Sequence, residues 1–179
     1  MRFTRVWAMP TSNTFDCPPI GEFVRSYLRH SKTSLDPFAR NCRLATHTND
    51  LNPETSAEFH LDAYDFLLML RDRGVKVDLA IIDPPYSRQQ VKEVYNGIGR
   101  HYGLEDSQEH STNWHKERDL IDEILVLQGV VLSFGWNSAG MGLERNYRIE
   151  EILLVCHGGA HNDTICVAER KVAHQLKLV

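Results

Sequence analysis

The sequence predicts an α/β fold, with helices packed on a mostly parallel sheet. The run Val77-Asp78-Leu79-Ala80-Ile81-Ile82 is short, apolar and rich in β-branched residues, which is typical of a strand buried in a parallel sheet. Amphipathic helical patterns alternate with further short apolar runs. Four such runs end close to a carboxylate, at Asp36, Asp50, Asp62 and Asp83. Because ligands bind at the carboxyl edge of such sheets, these acids predict one site along that edge.

Length and composition predict one domain over residues 1–179. With 42% hydrophobic residues, the chain can bury a sizeable core without disulfides or a metal. The sequence has no window of eighteen apolar residues, and its first residues lack the apolar core of a signal peptide. The four cysteines form no paired framework and are expected to be reduced thiols. We therefore expect a cytoplasmic protein that does not contact a membrane.

Charge is unevenly distributed along the chain, although the net charge of -4 argues against a strong general nucleic-acid binder. Residues 1–43 carry seven Lys or Arg and three acids, whereas the remaining residues carry thirteen and twenty-one. This basic segment could face phosphate groups. Alternatively, its arginines only solvate a helix face.

The first part of the chain is interpreted as a polar entry followed by one helix and three short strands. Trp7 and Phe15 are expected to pack in the core. The predicted elements are a helix at 21–29 opened by Pro18 and Pro19, and strands at 35–38, 43–49 and 59–62.

The second part of the chain continues the alternation and ends in a hairpin. Residues 87–118 are polar and are expected to form a helix followed by a long mobile loop that faces the target. The other predicted elements are helices at 63–71 and 114–127, and strands at 77–83, 130–134, 147–156 and 164–171.

The turn Asp83-Pro84-Pro85-Tyr86 follows the most apolar strand. Neither proline carries an N–H, and both fix φ, so the chain leaves the strand in a stiff extended turn. A carboxylate, a backbone carbonyl and a ring face then share one small space, which suits a planar amine. The alternative is that the two prolines only end the strand.

Five stretches resemble motifs of S-adenosylmethionine-dependent amino-methyltransferases, especially the small phage-type DNA adenine methyltransferases. Asp83-Pro84-Pro85-Tyr86 resembles their catalytic motif, and Asp36-Pro37-Phe38-Ala39 resembles the opening of their cofactor motif. Asp50 is similar to the acid that binds the cofactor ribose, and Asp62-Ala63 to the residues that face the cofactor adenine. Pro19-Ile20-Gly21-Glu22-Phe23 is similar to the upstream motif that helps to hold the methionine end. The match covers nearly the whole chain.

This resemblance implies a Rossmann-like methyltransferase fold, with a seven-stranded, mostly parallel sheet and an antiparallel strand from the C-terminal hairpin. It also implies that S-adenosylmethionine is the cofactor and that the acceptor is the exocyclic amine of adenine in nucleic acid, in DNA rather than RNA. Asp83 and the Pro84 carbonyl would accept hydrogen bonds from this amine, and Tyr86 would stack on the flipped base. The expected location is the cytoplasm of a bacterium or of a phage-infected host cell.

Two departures from the family pattern affect this prediction. The cofactor motif normally continues with glycines that let the backbone approach the ligand, whereas this chain continues with Ala39-Arg40-Asn41-Cys42. The chain also has no room for a separate target-recognition domain. Sequence selectivity is therefore expected from loops, or from a protein partner or a second subunit.

Further candidate residues lie in the second half of the chain. Ser133, Trp136 and Asn137 could line the base pocket, or Trp136 could be rim packing. The metal-ligand residue types Cys156, His157, His161 and Cys166 match no compact zinc spacing, so no metal is predicted.

Two alternative functions stay open at this stage. One is methylation of another amine, such as cytosine, adenine in RNA or a glutamine side chain. The other is a non-catalytic binding module that retains the fold, which the missing glycines favour.

Overall fold

The computed structural model describes residues 1–99, 114–159 and 161–173. Its centre is a seven-stranded sheet with the strand order β1-β6-β7-β5-β4-β2-β3. The strands are β1 (Arg2–Trp7), β2 (Ser34–Asp36), β3 (His47–Thr48), β4 (Val77–Ile82), β5 (Leu125–Gly135), β6 (Tyr147–Cys156) and β7 (Thr164–Lys171).

Only β7 runs antiparallel to its neighbours. It lies between β5 and β6, and its Val167 is opposite Ser133 on β5 and Ile152 on β6. All other strand pairs are parallel, so the carboxyl ends of β1, β2, β3, β4, β5 and β6 meet at one edge of the sheet. The predicted α/β class, with a mostly parallel seven-stranded sheet and an antiparallel strand from the last hairpin, is confirmed.

The described ranges contain four helices, together with two short 3-10 helices at Thr14–Asp16 and Leu143–Arg145. The four are α1 (Pro18–Leu28), α2 (Ala63–Asp72), α3 (Arg88–Gly97) and α4 (His115–Ile124). Successive residues of a strand point to opposite faces. Leu79 and Ile81 therefore pack with α1 in one hydrophobic cluster, whereas Ala80 and Ile82 pack with α2 and α4 in another. None of the helices in these described ranges is long and apolar enough to cross a membrane.

The membership of the sheet differs from the predicted one at both edges. β1 was not predicted, and it pairs with β6 at the edge of the sheet. Trp7 at the end of β1 is 67% exposed, so the expectation that it packs in the core is wrong. Phe15 does pack against the core. The predicted strand at 59–62 is reduced to one bridge between Asn49 and Phe59, and the predicted strand at 43–49 shortens to β3.

The helix predicted at 114–127 ends earlier, because β5 begins at Leu125 and pairs there with Val77. Three apolar residues at 125–127 fit either a helix or a strand by their pattern alone. The segment 87–118 begins with the predicted helix, which is α3. Residues 100–113, where the loop was predicted, lie outside the described residues.

Candidate active site

A cleft of about 550 Å³ opens at the carboxyl ends of β2, β3 and β4, which is within the usual size range of ligand sites. Its walls are the segments that follow these strands, the start of α2, and α3. The structure brings together in its lining nine of the residues singled out from the sequence, which are Pro37, Phe38, Asp50, Asp62, Ala63, Asp83, Pro84, Pro85 and Tyr86.

The turn after β4 is held by hydrogen bonds of Tyr86. Its hydroxyl donates to Oδ1 of Asp83, and its backbone N–H donates to Oε1 of Gln90 on α3 at 2.7 Å. The ring packs against the core beside Gly135, where an added Cβ would lie 3.6 Å from Cδ1 of Tyr86. The turn therefore presents the Asp83 carboxylate and the Tyr86 ring to the same cleft.

Ionisation at this turn is controlled by burial. Burial raises the pKa of Asp83, while hydrogen bonds from Tyr86 and Thr14 and the charge of Arg40 act in the opposite direction. Burial also raises the pKa of Tyr86, and the neighbouring Asp83 raises it further. The Tyr86 hydroxyl therefore stays protonated and remains a hydrogen-bond donor. Thr14 was not singled out from the sequence, and no local signal marks it.

Asp36 lies beneath the cleft at the end of β2 and is only 1% exposed. Its Oδ1 accepts the N–H of Phe38 at 3.0 Å. Burial raises the pKa of Asp36 to about 8, the charges of Asp83 and Asp50 add to the rise, and the Phe38 N–H opposes it. Asp36 is therefore a buried carboxyl that is largely protonated at neutral pH when no cation lies beside it.

Asp50, which follows β3, accepts two backbone hydrogen bonds. Oδ2 accepts the N–H of Arg40 and Oδ1 the N–H of Asn52, each at 2.9 Å. Arg40 has a φ of 50°, the left-handed conformation in which glycine is unstrained. The backbone shape expected of a glycine motif is thus present although the glycine is absent. Each oxygen of Asp50 keeps acceptor capacity for a ligand.

Asn49 joins the loops that build this part of the cleft, and sequence reasoning missed it. Asn49 is fully buried. Its Nδ2 donates to the carbonyl of Pro37 at 3.2 Å and to the carbonyl of Leu61 at 3.0 Å. Its Oδ1 accepts the Leu61 N–H at 2.9 Å. Its backbone pairs with Asp36 and Ala39. Nothing in its sequence context distinguishes it from an ordinary strand-end Asn.

Asp62 has a structural role at the start of α2. Its Oδ1 accepts the N–H of Tyr64 at 2.9 Å, which is an N-cap, and its Oδ2 accepts the hydroxyl of Tyr95 on α3 at 3.3 Å. Ala63 is buried beside it. This pair of contacts fixes α3 as one wall of the cleft.

Phe38 and Trp114 form an aromatic corner of the cleft. Their ring centroids are 4.9 Å apart and the rings are nearly perpendicular. Trp114 has a left-handed backbone with a φ of 48°, and its Nε1 is buried without a hydrogen-bond partner. The sequence did not mark Trp114 as a site residue, because it lay in a helical pattern.

The other predicted site residues lie outside the cleft lining. Ile20 belongs to the apolar face of α1 that packs in the core, and Pro19 lies in the first turn of the same helix. Trp136 is 45% exposed, with its ring centroid 5.8 Å from that of Tyr86. Ser133 is buried with an unpartnered Oγ, and Asn137 is exposed and accepts the Ala139 N–H.

The residues considered as metal ligands have other partners. His157 is buried, with Nδ1 2.7 Å from the Ala8 carbonyl and Nε2 2.9 Å from Oγ1 of Thr164. Cys166 is buried in the hydrophobic core. Across the described ranges, no three His, Cys, Asp or Glu side chains are arranged to hold a metal ion.

No protein-family model matches the sequence, and no curated protein matches it. Solved structures do match. TrmN from Thermus thermophilus is 15% identical with a TM-score of 0.54, over 87% of this chain and 49% of TrmN. NSun6 from Pyrococcus horikoshii, solved with SFG, is 12% identical with a TM-score of 0.53, over 83% of this chain and 50% of NSun6.

A third match is the N-methyltransferase NodS from Bradyrhizobium japonicum in complex with S-adenosyl-L-homocysteine, which is 12% identical with a TM-score of 0.51 over 89% of both chains. This chain spans about half the length of TrmN, NSun6 and other matched structures. The chain has the Rossmann-like fold of S-adenosylmethionine-dependent methyltransferases.

Proposed function

We propose that the protein is an S-adenosylmethionine-dependent methyltransferase that methylates the exocyclic amine of adenine in nucleic acid, in DNA rather than RNA. The observation that carries the proposal is the position of Asp83-Pro84-Pro85-Tyr86, at the end of β4 and in the same cleft as Asp50. An acceptor for an amine and acceptors for a ribose are thereby brought to one edge of a methyltransferase-type sheet.

The described residues fit the cofactor. Each Asp50 oxygen has one backbone N–H and a free lone pair, so the carboxylate can accept both ribose hydroxyls. Asp62, Ala63 and the Phe38–Trp114 corner provide polar and flat apolar surfaces for the adenine ring. Asp36 would stabilise positive charge at the methionine end, because a nearby cation favours the ionised form of this buried carboxyl. The NodS structure, which has the same fold, contains S-adenosyl-L-homocysteine.

When bound, S-adenosylmethionine supplies a methyl group on a positively charged sulfur. The Asp83 carboxylate and the Pro84 carbonyl accept hydrogen bonds from the acceptor amine, which draws the nitrogen lone pair out of conjugation and directs it at the methyl group. The Tyr86 ring stacks on the base, and Trp136 extends this aromatic surface outward. These residues act by positioning and electrostatics.

An adenine in a strand must leave its stack to reach the cleft, at a cost of about a few kcal/mol. We propose that residues 87–118, which begin at the cleft with α3, contact the nucleic acid, and that a protein partner or a second subunit adds sequence selectivity. The acidic lining gives a free strand little general attraction. Affinity for DNA without a partner should therefore be modest and salt-sensitive.

Two measurements test the proposal. Calorimetry should show binding of S-adenosylmethionine, and mass spectrometry of nucleosides from cells expressing the protein should show N6-methyladenine in DNA. Cells expressing Asp83→Asn are the control and should show none. Absence of cofactor binding would refute the enzyme assignment. Methylated cytosine, methylated RNA or methylated glutamine in protein would assign the site to another amine acceptor.

A further inference from the structure

The charges that line the cleft are almost all negative. Among the cleft-lining residues that the structure describes, four are acids, namely Asp50, Asp62, Asp83 and Glu93. Arg40 is the one Lys or Arg in that described lining. Any anionic group of a ligand in this cleft would be repelled by the acids, and Arg40 is the described residue able to neutralise it.

Arg40 is held in place at both ends. Its backbone N–H donates to Asp50, and its Nη1 donates to the Ser12 carbonyl at 3.0 Å. The side chain is nonetheless exposed, and a guanidinium has five N–H donors in a planar fork. Several donors therefore remain to bind a carboxylate, for which this fork geometry is well matched. Arg40 lines the same cleft as Asp83, so its guanidinium lies at the site.

The backbone of Arg40 indicates that its side chain has a use. A non-glycine residue with a φ of 50° is strained by about 1 kcal/mol, and glycine would relieve the strain. Strained residues of this kind cluster at functional sites, and Arg40 lies in the lining of the cleft.

We propose that Arg40 binds the carboxylate of the methionyl end of S-adenosylmethionine. The inference rests on the proposed function. The sulfonium and ammonium groups of this cofactor suit an acidic cleft, but its carboxylate needs a cation. Arg40 supplies this cation, and it stands at the position where the related cofactor motif has a glycine. In this chain the cofactor would therefore be held by a side chain, whereas the glycine motif lets the backbone approach the cofactor closely.

The test compares S-adenosylmethionine with decarboxylated S-adenosylmethionine, which lacks only the carboxylate. Calorimetry should show that the wild-type protein binds the complete cofactor about 10- to 100-fold more tightly, as expected for a charge-assisted pair. Arg40→Gly should lose this preference and bind the two forms about equally. Glycine suits the positive φ, so this variant should fold at least as stably as the wild type, which thermal melting verifies.

Arg43→Ala is the matched control. Arg43 is also exposed and donates from Nη1 to a backbone carbonyl, that of Ser56, at 2.9 Å, but it does not line the cleft. This variant should keep the full preference for the carboxylated cofactor. Arg40→Lys should keep part of this preference, because the ammonium group retains the positive charge but not the planar set of donors of the guanidinium.

Three outcomes would overturn the assignment. An unchanged preference in Arg40→Gly would show that another group binds the carboxylate. An unchanged preference combined with weaker binding of an adenine-containing oligonucleotide would assign Arg40 to a phosphate of the acceptor strand. Binding of neither form by the wild type would refute the proposed function itself, and the role of Arg40 would fall with it.

Discussion

The hydroxyl of Tyr86 donates a hydrogen bond to the carboxylate of Asp83 within one turn of the chain. In the free protein, the acceptor assigned to the substrate amine is therefore partly occupied by the residue assigned to stack on the base. An incoming amine must share or replace this bond, which links entry of the base to a change at Tyr86. The two roles of the turn can be separated by substitution.

Tyr86→Phe and Tyr86→Ala distinguish the hydroxyl from the ring. Phe should keep most of the methyl transfer because stacking is retained. The hydrogen bond from the Tyr86 hydroxyl lowers the pKa of Asp83, so its loss in Phe should raise this pKa and move the acid limb of the pH–rate profile to higher pH. Ala should weaken binding of the acceptor by roughly 10- to 100-fold, the usual effect of losing a stacked base. Steady-state kinetics across pH measure both. Equal losses in Phe and Ala would contradict a stacking role.

Asp83→Asn separates chemistry from cofactor binding. The turnover number should fall by about 10²- to 10³-fold, because the amide cannot supply the negative acceptor for the amine. The dissociation constant for S-adenosylmethionine should change little, since Asp83 is assigned to the acceptor. Calorimetry and a single-turnover assay report the two quantities. Near-normal turnover would show that this carboxylate is not the amine acceptor.

Asp50→Ala should weaken binding of S-adenosylmethionine by about 10- to 100-fold, because hydrogen bonds to a charged group are lost. Asp50→Asn keeps an acceptor for a backbone N–H and should have a smaller effect. Asp65→Ala, an exposed acid on α2 outside the cleft, is the control and should bind normally. Isothermal titration of the three variants checks the order, and tight binding by Asp50→Ala would remove Asp50 from the site.

Asp36 should make stability fall as pH rises. The folded protein keeps the Asp36 proton up to a pKa of about 8, whereas the unfolded chain loses it near the ordinary value of 3.8. Between these values the unfolded state binds fewer protons, so this residue lowers the free energy of unfolding by up to about 1.4 kcal/mol per pH unit. The contribution is fully present below pH 3.8 and is lost as pH rises through 8.

Asp36→Asn removes this titration while keeping an oxygen for the Phe38 N–H. Urea unfolding at pH 5 and pH 7.5 should show that the variant gains stability relative to the wild type at the higher pH. A constant difference between the two proteins across pH would contradict the assignment. Adding cofactor should make the stability of the wild type depend less on pH, because a nearby cation favours the charged carboxylate of Asp36.

Asn49→Ala should lower the free energy of unfolding by roughly 2–4 kcal/mol, because it leaves the buried Pro37 carbonyl and the backbone N–H and carbonyl of Leu61 without their partner. Asn41→Ala is the control, since Asn41 is exposed and its amide oxygen accepts one N–H, that of Ser56. Urea unfolding compares the two. Cofactor binding should also weaken in Asn49→Ala, because the loops carrying Phe38 and Asp50 are no longer joined. Equal stability of both variants would show that Asn49 does not join the loops.

The elements of the fold that were predicted correctly are those with a strong local pattern in the sequence. The apolar run before Asp83 and the hairpin partners at 147–171 were located because buried strands and turn residues have clear patterns. β1 was missed because an edge strand exposed on both faces has no buried alternation. Its position depends on pairing with β6, which is about 150 residues away in sequence and leaves no local trace.

In the candidate site, too, the features with a local sequence signal could be predicted and those that depend on distant contacts could not. Acids at strand ends could be predicted to meet because parallel strands end at one edge, and three of them do line one cleft. The roles of Thr14, Asn49 and Trp114 could not be predicted, since each depends on contacts between distant segments. The left-handed backbone at Arg40 was also not evident, because the sequence offers an arginine where that conformation favours glycine.

The insertion of β7 between β5 and β6 has a consequence for how the chain folds during synthesis. Among the described strands, β6 and β1 reach the rest of the sheet through β7, which follows the other six in the chain. β1 therefore has no stable place in the sheet until β7 has been translated. Pairings of such long sequence separation form slowly, so nascent chains should carry an unpaired β1 that chaperones can bind.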